Sequence, residues 1–546
     1  MKVVIIGGVA GGASCATRLR RLDESAEIVI LERGDNVSYA NCGLPYYVGG
    51  RIEREESLTV ASPGFLRARF NIDVRVRSEA VGIDTARKTV HVRERDGREY
   101  DEPYDKLLLA PGAAAKTFGW SGEGVFVLRD VADATGMAAY IREKGVKSAL
   151  VAGGGFIGIE TAENLAERGI AVTLAEFAPQ VMPPLDPEMA LLVRDELEKG
   201  GVKVMTGVGV GSVLSSADGV KVKFTDGGEG TFGMVVLALG VTPETALAKD
   251  AGIELTSLGG IKVDGTRRTS VPDIFAAGDA TGVIGADGGE ALVPLAGPAN
   301  RQGRSAADNM TGARAENGGR VLGASVVRVF GLTAASVGRN EKQLKKAGEE
   351  YKKIYVLPFS HATYYPGAKQ MTLKLLFAAD GRVLGAQGVG AEGVEKQIDV
   401  VSQTMHFAGT VRDLAEAEMC YAPPYNSAKS PVNMMGFVAS NVLDGLMTPV
   451  SPEEVGEDDL VLDVRTPQEF AAGHIEGSVN IPLDELRARL DEVPNSTRIV
   501  VTCAVGLRGY IAARILAGHG IKAENLTGGY RMYVLAKRAE IVTNGR

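Results

Sequence analysis

Apolar residues in this chain come in short continuous runs closed by glycine, and stretches of helical periodicity stand between them. The run Lys2–Ile6 ends in Gly7-Gly8-Val9-Ala10-Gly11-Gly12, a helix is predicted through Arg20, and Glu27–Glu32 forms the next run. A continuous run, as opposed to alternation, is the pattern of a strand buried on both faces of a parallel sheet. The same order returns further on. Lys147–Val151 runs into Ala152-Gly153-Gly154-Gly155-Phe156-Ile157-Gly158, a helix follows over Ile159–Arg168, and a strand over Ala171–Ala175 ends at Glu176. From residue 322 the pattern loosens. Strand-like segments at Lys353–Val356 and Thr372–Phe377 flank turns, and Val394–Phe407 is predicted as a helix. After the acidic stretch Glu453–Asp459, buried-strand runs resume at Leu460–Val464 and Arg498–Thr502.

Each strand, glycine turn and helix has the makings of a dinucleotide site. Glycines permit the tight turn, and the helix N-terminus offers free N–H groups and a positive dipole end to a pyrophosphate. In the first unit the candidates are Gly7, Gly8, Val9, Ala10, Gly11 and Gly12, with Glu32 placed for ribose hydroxyls and Arg33 beside it. Val9 stands where the usual GxGxxG spacing has its middle glycine. In the second unit Gly153, Gly155 and Gly158 satisfy that spacing in full, around Phe156 and Ile157. Glu176 would accept hydrogen bonds from a 2′-hydroxyl and repel a 2′-phosphate, and Glu176–Gln180 holds no Arg or Lys, so NADH is expected over NADPH. Two such sites suggest two cofactors, one bound tightly and one exchanging.

Composition narrows the class. The chain has 546 residues, room for about three or four domains. It is 45% hydrophobic and 23% charged, with a net charge of −8, so neither nucleic acid nor a membrane is expected as its main partner. The N-terminal apolar run stops at Gly7-Gly8, as a strand does and a signal peptide does not. No run reaches membrane-spanning length, and a cytoplasmic location is expected. Four cysteines, Cys15, Cys42, Cys420 and Cys503, are too few and scattered for a disulfide framework. No CxxC pair exists, and no metal site is expected. Cys15 and Cys420 are assigned to packing. Cys42 differs, because Ser38-Tyr39-Ala40-Asn41-Cys42-Gly43-Leu44-Pro45-Tyr46-Tyr47 follows the first nucleotide unit directly. A thiol there can exchange electrons with whatever that unit holds.

Further signals lie in order along the chain. Tyr104–Leu109 ends in Ala110-Pro111-Gly112, Val235–Leu239 ends in Gly240, and Thr269–Ala280 carries a buried strand into Gly278-Asp279. Together with the two glycine-rich units, these segments resemble the two-dinucleotide-fold flavoprotein disulfide reductase family. The resemblance implies an FAD-binding domain in two parts, 1–112 and 243–321, with an NADH-binding domain inserted at 113–242 and a dimerisation domain at 322–446. It implies that Asp279 binds the flavin ribityl chain and that Asn41, Cys42, Ala110, Pro111, Gly112, Gly240 and Gly278 lie at the cofactors. The CxxxxC pair of the glutathione reductase type is absent. The single cysteine in Asn41-Cys42-Gly43-Leu44-Pro45-Tyr46-Tyr47 resembles the branch of coenzyme A disulfide reductases, NADH oxidases and NADH peroxidases. Oxidase and peroxidase members carry a histidine in the first glycine turn, where this chain has Ala10, and that favours the thiol-substrate side of the branch. The resemblance implies coenzyme A contacts at Ser14, Arg18, Arg21, Ser38, Asn41 and Lys429. It implies a homodimer in which Tyr364, Tyr365 and Tyr421 reach the partner subunit's active site.

Residues 447–459 read as an acidic, proline-marked linker, and 460–546 as a further domain. Leu460–Phe470 contains Asp463 and Arg465, and Arg498–Tyr510 carries a strand into Cys503-Ala504-Val505-Gly506-Leu507-Arg508. Loop N–H groups, a helix N-terminus and Arg508 would stabilise a thiolate or persulfide on Cys503. The segment resembles a single-domain rhodanese, with His474 a structural loop residue. The expected fold class is α/β: two Rossmann-like dinucleotide-binding domains, an α+β dimerisation domain and a C-terminal rhodanese α/β domain. The expected function is an FAD-dependent, NADH-oxidising reductase of coenzyme A disulfide, coenzyme A persulfide or polysulfide. Cys42 would form a mixed disulfide, and a tethered Cys503 would carry sulfane sulfur. Two alternatives stand beside it, an NADH oxidase or peroxidase cycling Cys42 through sulfenic acid, and a sulfur-trafficking protein whose reductase half senses redox state.

Overall fold

The computed structural model describes all residues except 314–317, 495, 497 and 544–546. The chain folds as two compact units. One comprises Met1–Ala175 and Val210–Gly323, the other Glu176–Gly209 and Ala324–Arg546.

In the first unit a parallel sheet orders its strands Ile274–Ala276, Lys106–Leu109, Lys2–Ile6, Glu27–Leu31, Asp73–Arg75. The continuous apolar run behaves as its pattern requires. Val3 and Ile5 join one core with Leu19 and Ile28, while Val4 and Ile6 join another with Val29 and Leu107. A second parallel set has Ser148–Ala152 between Ala171–Glu176 and Met234–Leu237. Strands Ala113–Ala115 and Val241–Pro243 pair with each other, so the chain enters and leaves this second set side by side.

The two glycine turns repeat each other atom for atom in their close approaches. A Cβ on Gly7 would lie 2.1 Å from Ala110 O, and one on Gly12 would lie 1.9 Å from Gly7 O. The corresponding distances are 2.2 Å from Gly153 to Ala238 O and 1.9 Å from Gly158 to Gly153 O. These positions demand glycine. The middle position differs: Val9 and Gly155 both sit at negative φ, −99° and −81°, so no left-handed backbone calls for glycine there.

The second unit contains a five-stranded antiparallel sheet in the order Ser325–Val329, Leu332–Gly338, Val383–Gly390, Met371–Phe377, Lys352–Val356, with the helix Val394–His406 packed on it. It also contains a parallel sheet in the order Pro449–Val450, Glu524–Leu526, Ile499–Thr502, Leu460–Asp463, Val479–Asn480. Residues 447–459 are therefore not a free linker. Pro449–Val450 is the edge strand of that sheet, Ser451 caps a short turn, and Glu453 pairs with Lys353 of the antiparallel sheet. Apolar character at Val450, which is 1% exposed, outweighs the acidic residues that follow it.

Candidate active site

Cys42 lies in the short 3-10 turn Asn41–Gly43, and the helix Leu44–Val48 begins behind it with Pro45 in its first turn. That helix packs on Phe156–Glu167, the helix of the second glycine turn. Contact is close: a Cβ on Gly49 would meet the Asn164 side chain at 2.5 Å. Tyr46 OH donates to Glu160 Oε1 at 3.3 Å across this interface.

Cys42 is accessible at the surface, yet enough protein surrounds its sulfur that burial raises the thiol pKa. The Glu160 and Asp279 carboxylates raise it further, and Arg129 opposes them. Burial also lifts Glu160 to about 7, helped by Glu163 and opposed by the Tyr46 hydroxyl. Arg129 is itself fixed, donating from Nε to Ala113 O at 2.7 Å and from Nη2 to Asp279 Oδ2 at 3.1 Å. Glu160, Tyr46 and Arg129 were not among the sequence candidates. Glu160 falls on the first turns of a helix whose start was legible, and that placement beside a dinucleotide site was the available signal.

The glycine turns fit dinucleotides. Neither helix, Ala10–Leu22 or Phe156–Glu167, has a side-chain cap, so their first N–H groups remain for a pyrophosphate. A Cβ on Gly155 would meet nothing within 4 Å, which leaves the second turn open for close approach. Glu32 accepts N–H bonds from Gly8 and Gly34, both at 2.9 Å, and so its carboxylate is held beside the first turn. Gly278 N–H is held by Gln302 Oε1 at 2.7 Å, which sets Asp279 at the end of its strand. Gly112 and Gly240 both take positive φ, at 78° and 88°. Glu176 Oε1 accepts from Ala178 N–H at 2.7 Å. Arg33 extends to Glu244, with Nη2 2.6 Å from Oε1.

Among the residues expected at coenzyme A, Ser14 donates to Asn300 at 2.6 Å and Arg18 Nε to Asp308 at 2.7 Å. These bonds tie the helix Ala10–Leu22 to the helix Ala296–Thr311. Arg21 is exposed one turn on. Ser38 takes φ of 47° and bonds Gly8 O through its N–H at 2.8 Å. Lys429 lies in the other unit, just before the helix Pro431–Leu443.

In that second unit Tyr364 and Tyr421 are brought together, hydroxyl to hydroxyl, although far apart in sequence. Both are exposed, and the pairing raises the Tyr364 pKa. Tyr365 stands apart from them, edge-on to His361 with centroids 5.8 Å apart. Cys420 beside Tyr421 is exposed, so its assignment to packing is corrected; Cys15 is fully buried, as assigned.

Cys503 ends the strand Ile499–Thr502 and is fully enclosed. Gly506 N–H donates to its Sγ at 3.1 Å, and Gly506 takes φ of 99° to make that turn. Asp463 and Arg465 form a buried pair 2.6 Å apart, and Arg465 also donates to Gly473 O and stacks over Tyr530. His474 stacks on Phe470 at 4.0 Å and bonds Phe470 O, a structural role. The segment behind the loop is seated on the antiparallel sheet. A Cβ on Gly529 would lie 2.4 Å from Cys503 O, one on Gly528 would lie 3.0 Å from Tyr355 Cβ, and Tyr355 N–H donates to Thr527 Oγ1 at 2.9 Å. Tyr355 OH in turn donates to Glu188, one of three buried carboxylates, with Asp186 and Glu341, gathered on the Lys374 ammonium.

Comparison with known proteins agrees with this arrangement. Residues 1–303 match the pyridine nucleotide-disulphide oxidoreductase family, residues 324–431 its dimerisation domain, and residues 452–536 the rhodanese-like domain. A coenzyme A disulfide reductase of Staphylococcus aureus is 35% identical over 441 residues, covering 80% of this chain and 99% of that protein. The crystal structure of reduced CoADR-RHD from Bacillus anthracis is 44% identical, with a TM-score of 0.96 over 98% of both chains. A NAD-dependent persulfide reductase from A. fulgidus is 38% identical, with a TM-score of 0.91 over 98% of this chain and 100% of that one. Family members work with FAD and NAD(H). The chain belongs to the pyridine nucleotide-disulphide oxidoreductase family, and it carries that family's dimerisation domain and a C-terminal rhodanese-like domain.

Proposed function

We propose that the chain is an FAD-dependent, NADH-oxidising reductase of coenzyme A disulfide, coenzyme A persulfide or polysulfide, in which Cys42 forms a mixed disulfide and Cys503 carries sulfane sulfur. The observation that supports this most is an accessible thiol, alone in its turn, beside a carboxyl group that titrates near 7. Bound FAD would supply the electron relay between NADH and the Cys42 sulfur.

The chain's own part begins with the proton on Cys42. Exchange of Cys42–SH and Glu160–COO⁻ for thiolate and carboxylic acid also removes the charge that opposes the thiolate. The thiolate attacks a substrate sulfur, a new sulfur–sulfur bond forms, and the leaving thiolate or hydrosulfide takes up a proton. Tyr46 holds the Glu160 carboxyl in place for this. In a homodimer the Tyr364–Tyr421 pair of one protomer would donate to the thiolate leaving its partner's site. Coenzyme A would be held by Ser14, Arg18, Arg21, Ser38 and Asn41. Glu176 would give NADH its preference over NADPH. Four unpaired cysteines suit a reducing, cytoplasmic setting. Ala10, in the place of the histidine of oxidases and peroxidases, leaves peroxide chemistry without that proton donor.

Steady-state NADH oxidation over coenzyme A disulfide, coenzyme A persulfide, polysulfide and hydrogen peroxide, with sulfide measured as product, tests this. Turnover is expected with the sulfur acceptors. Turnover with peroxide alone would sink the proposal.

A further inference from the structure

The surroundings of Cys503 select the kind of sulfur donor it can accept. Its sulfur is enclosed, with Gly506 N–H donating to it at 3.1 Å. Arg508 follows directly on the loop and is already engaged. Its Nη1 and Nη2 donate to Glu469 Oε2 and Oε1 at 2.8 and 2.6 Å. Glu469 is fixed in turn by Thr466 N–H at 3.0 Å, and Arg508 holds its carboxyl down at about 2. The pair is ionised and net neutral across physiological pH. Arg465 is buried against Asp463, and Arg531, whose N–H bonds Ala504 O, donates its guanidinium to Gln370. The loop itself contributes apolar side chains, Ala504, Val505 and the exposed Leu507, with Ile511 exposed one turn on.

We propose that the Cys503 site takes sulfur from organic persulfides, R–S–SH, and discriminates against thiosulfate, because Glu469 occupies the guanidinium that an anionic donor would need. The inference rests on Cys503 being a sulfur carrier. Loop N–H groups and the N-terminus of the helix Leu507–Gly518 suit one negative charge, that of the thiolate or persulfide. A dianion brings further charge while Arg508, the cation that follows the loop, is held by Glu469, and its sulfonate is wide for an enclosed sulfur. A persulfide presents a slim terminal sulfur on an organic arm that suits an apolar rim. Cys503 thiolate attacks that terminal sulfur, the S–S bond of the persulfide breaks, and its electron pair leaves on the inner sulfur as R–S⁻, which takes the proton. R–S–SH and Cys503–S⁻ become R–SH and Cys503–S–S⁻, with no net oxidation.

The test uses the full-length flavinated protein, with thiosulfate and the persulfide of glutathione as donors. The readout is the rate at which the Cys503 peptide gains the mass of one sulfur. The persulfide should label at least about tenfold faster than thiosulfate. Glu469→Gln keeps an acceptor for Thr466 N–H and frees Arg508, so it should raise the thiosulfate-to-persulfide rate ratio about tenfold. Sulfate, which has the same tetrahedral dianionic shape, should not slow labelling of the wild-type protein. Equal rates with both donors, competition by sulfate in the wild type, or an unchanged ratio in folded Glu469→Gln would each overturn the inference. Labelling by neither donor would instead overturn the sulfur-carrier reading on which it stands.

Discussion

Cys42 and Cys503 are both single thiols just ahead of a helix, and the protein treats them oppositely. Cys42 is accessible, opposed by two carboxylates, and set beside a group that exchanges protons near 7. Cys503 is sealed, bonded by a backbone N–H, and backed by a glycine pair seated on a neighbouring sheet. A thiol that is broken and reformed at each turnover needs somewhere to put its proton. A thiol that stores sulfur needs a fixed anion nest and shelter from other thiols. Surroundings, and not the cysteine itself, divide the labour.

The largest effect should come from removing the first thiol. Cys42→Ser should lower NADH-driven disulfide and persulfide reduction on the order of a thousandfold, with flavin absorbance intact, since the glycine turn, Glu32 and Asp279 are unchanged. Retained turnover in a fully flavinated variant would take Cys42 out of the mechanism.

The seat under Cys503 comes next. Lys374 is fully buried among Asp186, Glu188 and Glu341, and Lys374→Met would leave Asp186 and Glu188 without their cation, Glu341 keeping Lys353, at a cost of about 3–5 kcal/mol. Hydrogen exchange should show the loss in Lys352–Val356 and Glu524–Leu526. Unchanged protection there would show that the cluster does not support the Cys503 loop.

Cys503→Ser should spare small disulfides to within about twofold and slow reduction of bulky or protein-bound persulfides roughly tenfold. A loss with small disulfides as well would mean the two thiols are not separate in function.

The smallest effect is expected from the carboxyl group that acts on Cys42. Glu160 is neutral below about 7 and anionic above it, and as an anion it raises the Cys42 pKa. Glu160→Gln should therefore lower the Cys42 pKa and remove an inflection near pH 7 from the reductase profile. The rate should fall roughly tenfold for want of a proton acceptor. Asp279, Arg129, Tyr46 and Glu163 remain in place. An unchanged profile would leave Glu160 without a part in proton handling.

Much of this was legible in the sequence because it is local. Lys2–Ile6 and Ser148–Ala152 are continuous apolar strands because both faces are covered, and Gly7, Gly12, Gly153 and Gly158 are forced by carbonyl contacts that a Cβ would violate. Val9 departs from the motif at a position whose φ is negative, unlike the left-handed Gly7. Long-range pairings left no such trace. Tyr46 meets Glu160, Tyr364 meets Tyr421, and Arg508 meets Glu469 only through tertiary packing. The acidic run Glu453–Asp459 misled for the same reason. Its charges find partners in Lys353 and Arg498, and the segment is docked instead of free.

The flavinated protein is given an isotopically labelled persulfide, without and then with NADH, and peptides bearing Cys42 and Cys503 are weighed from the same sample. Labelled sulfur is expected on Cys503, the donor thiol in mixed disulfide on Cys42, and clearance of Cys42 when NADH is added. The same adduct on both cysteines, or clearance of neither by NADH, would contradict this expectation.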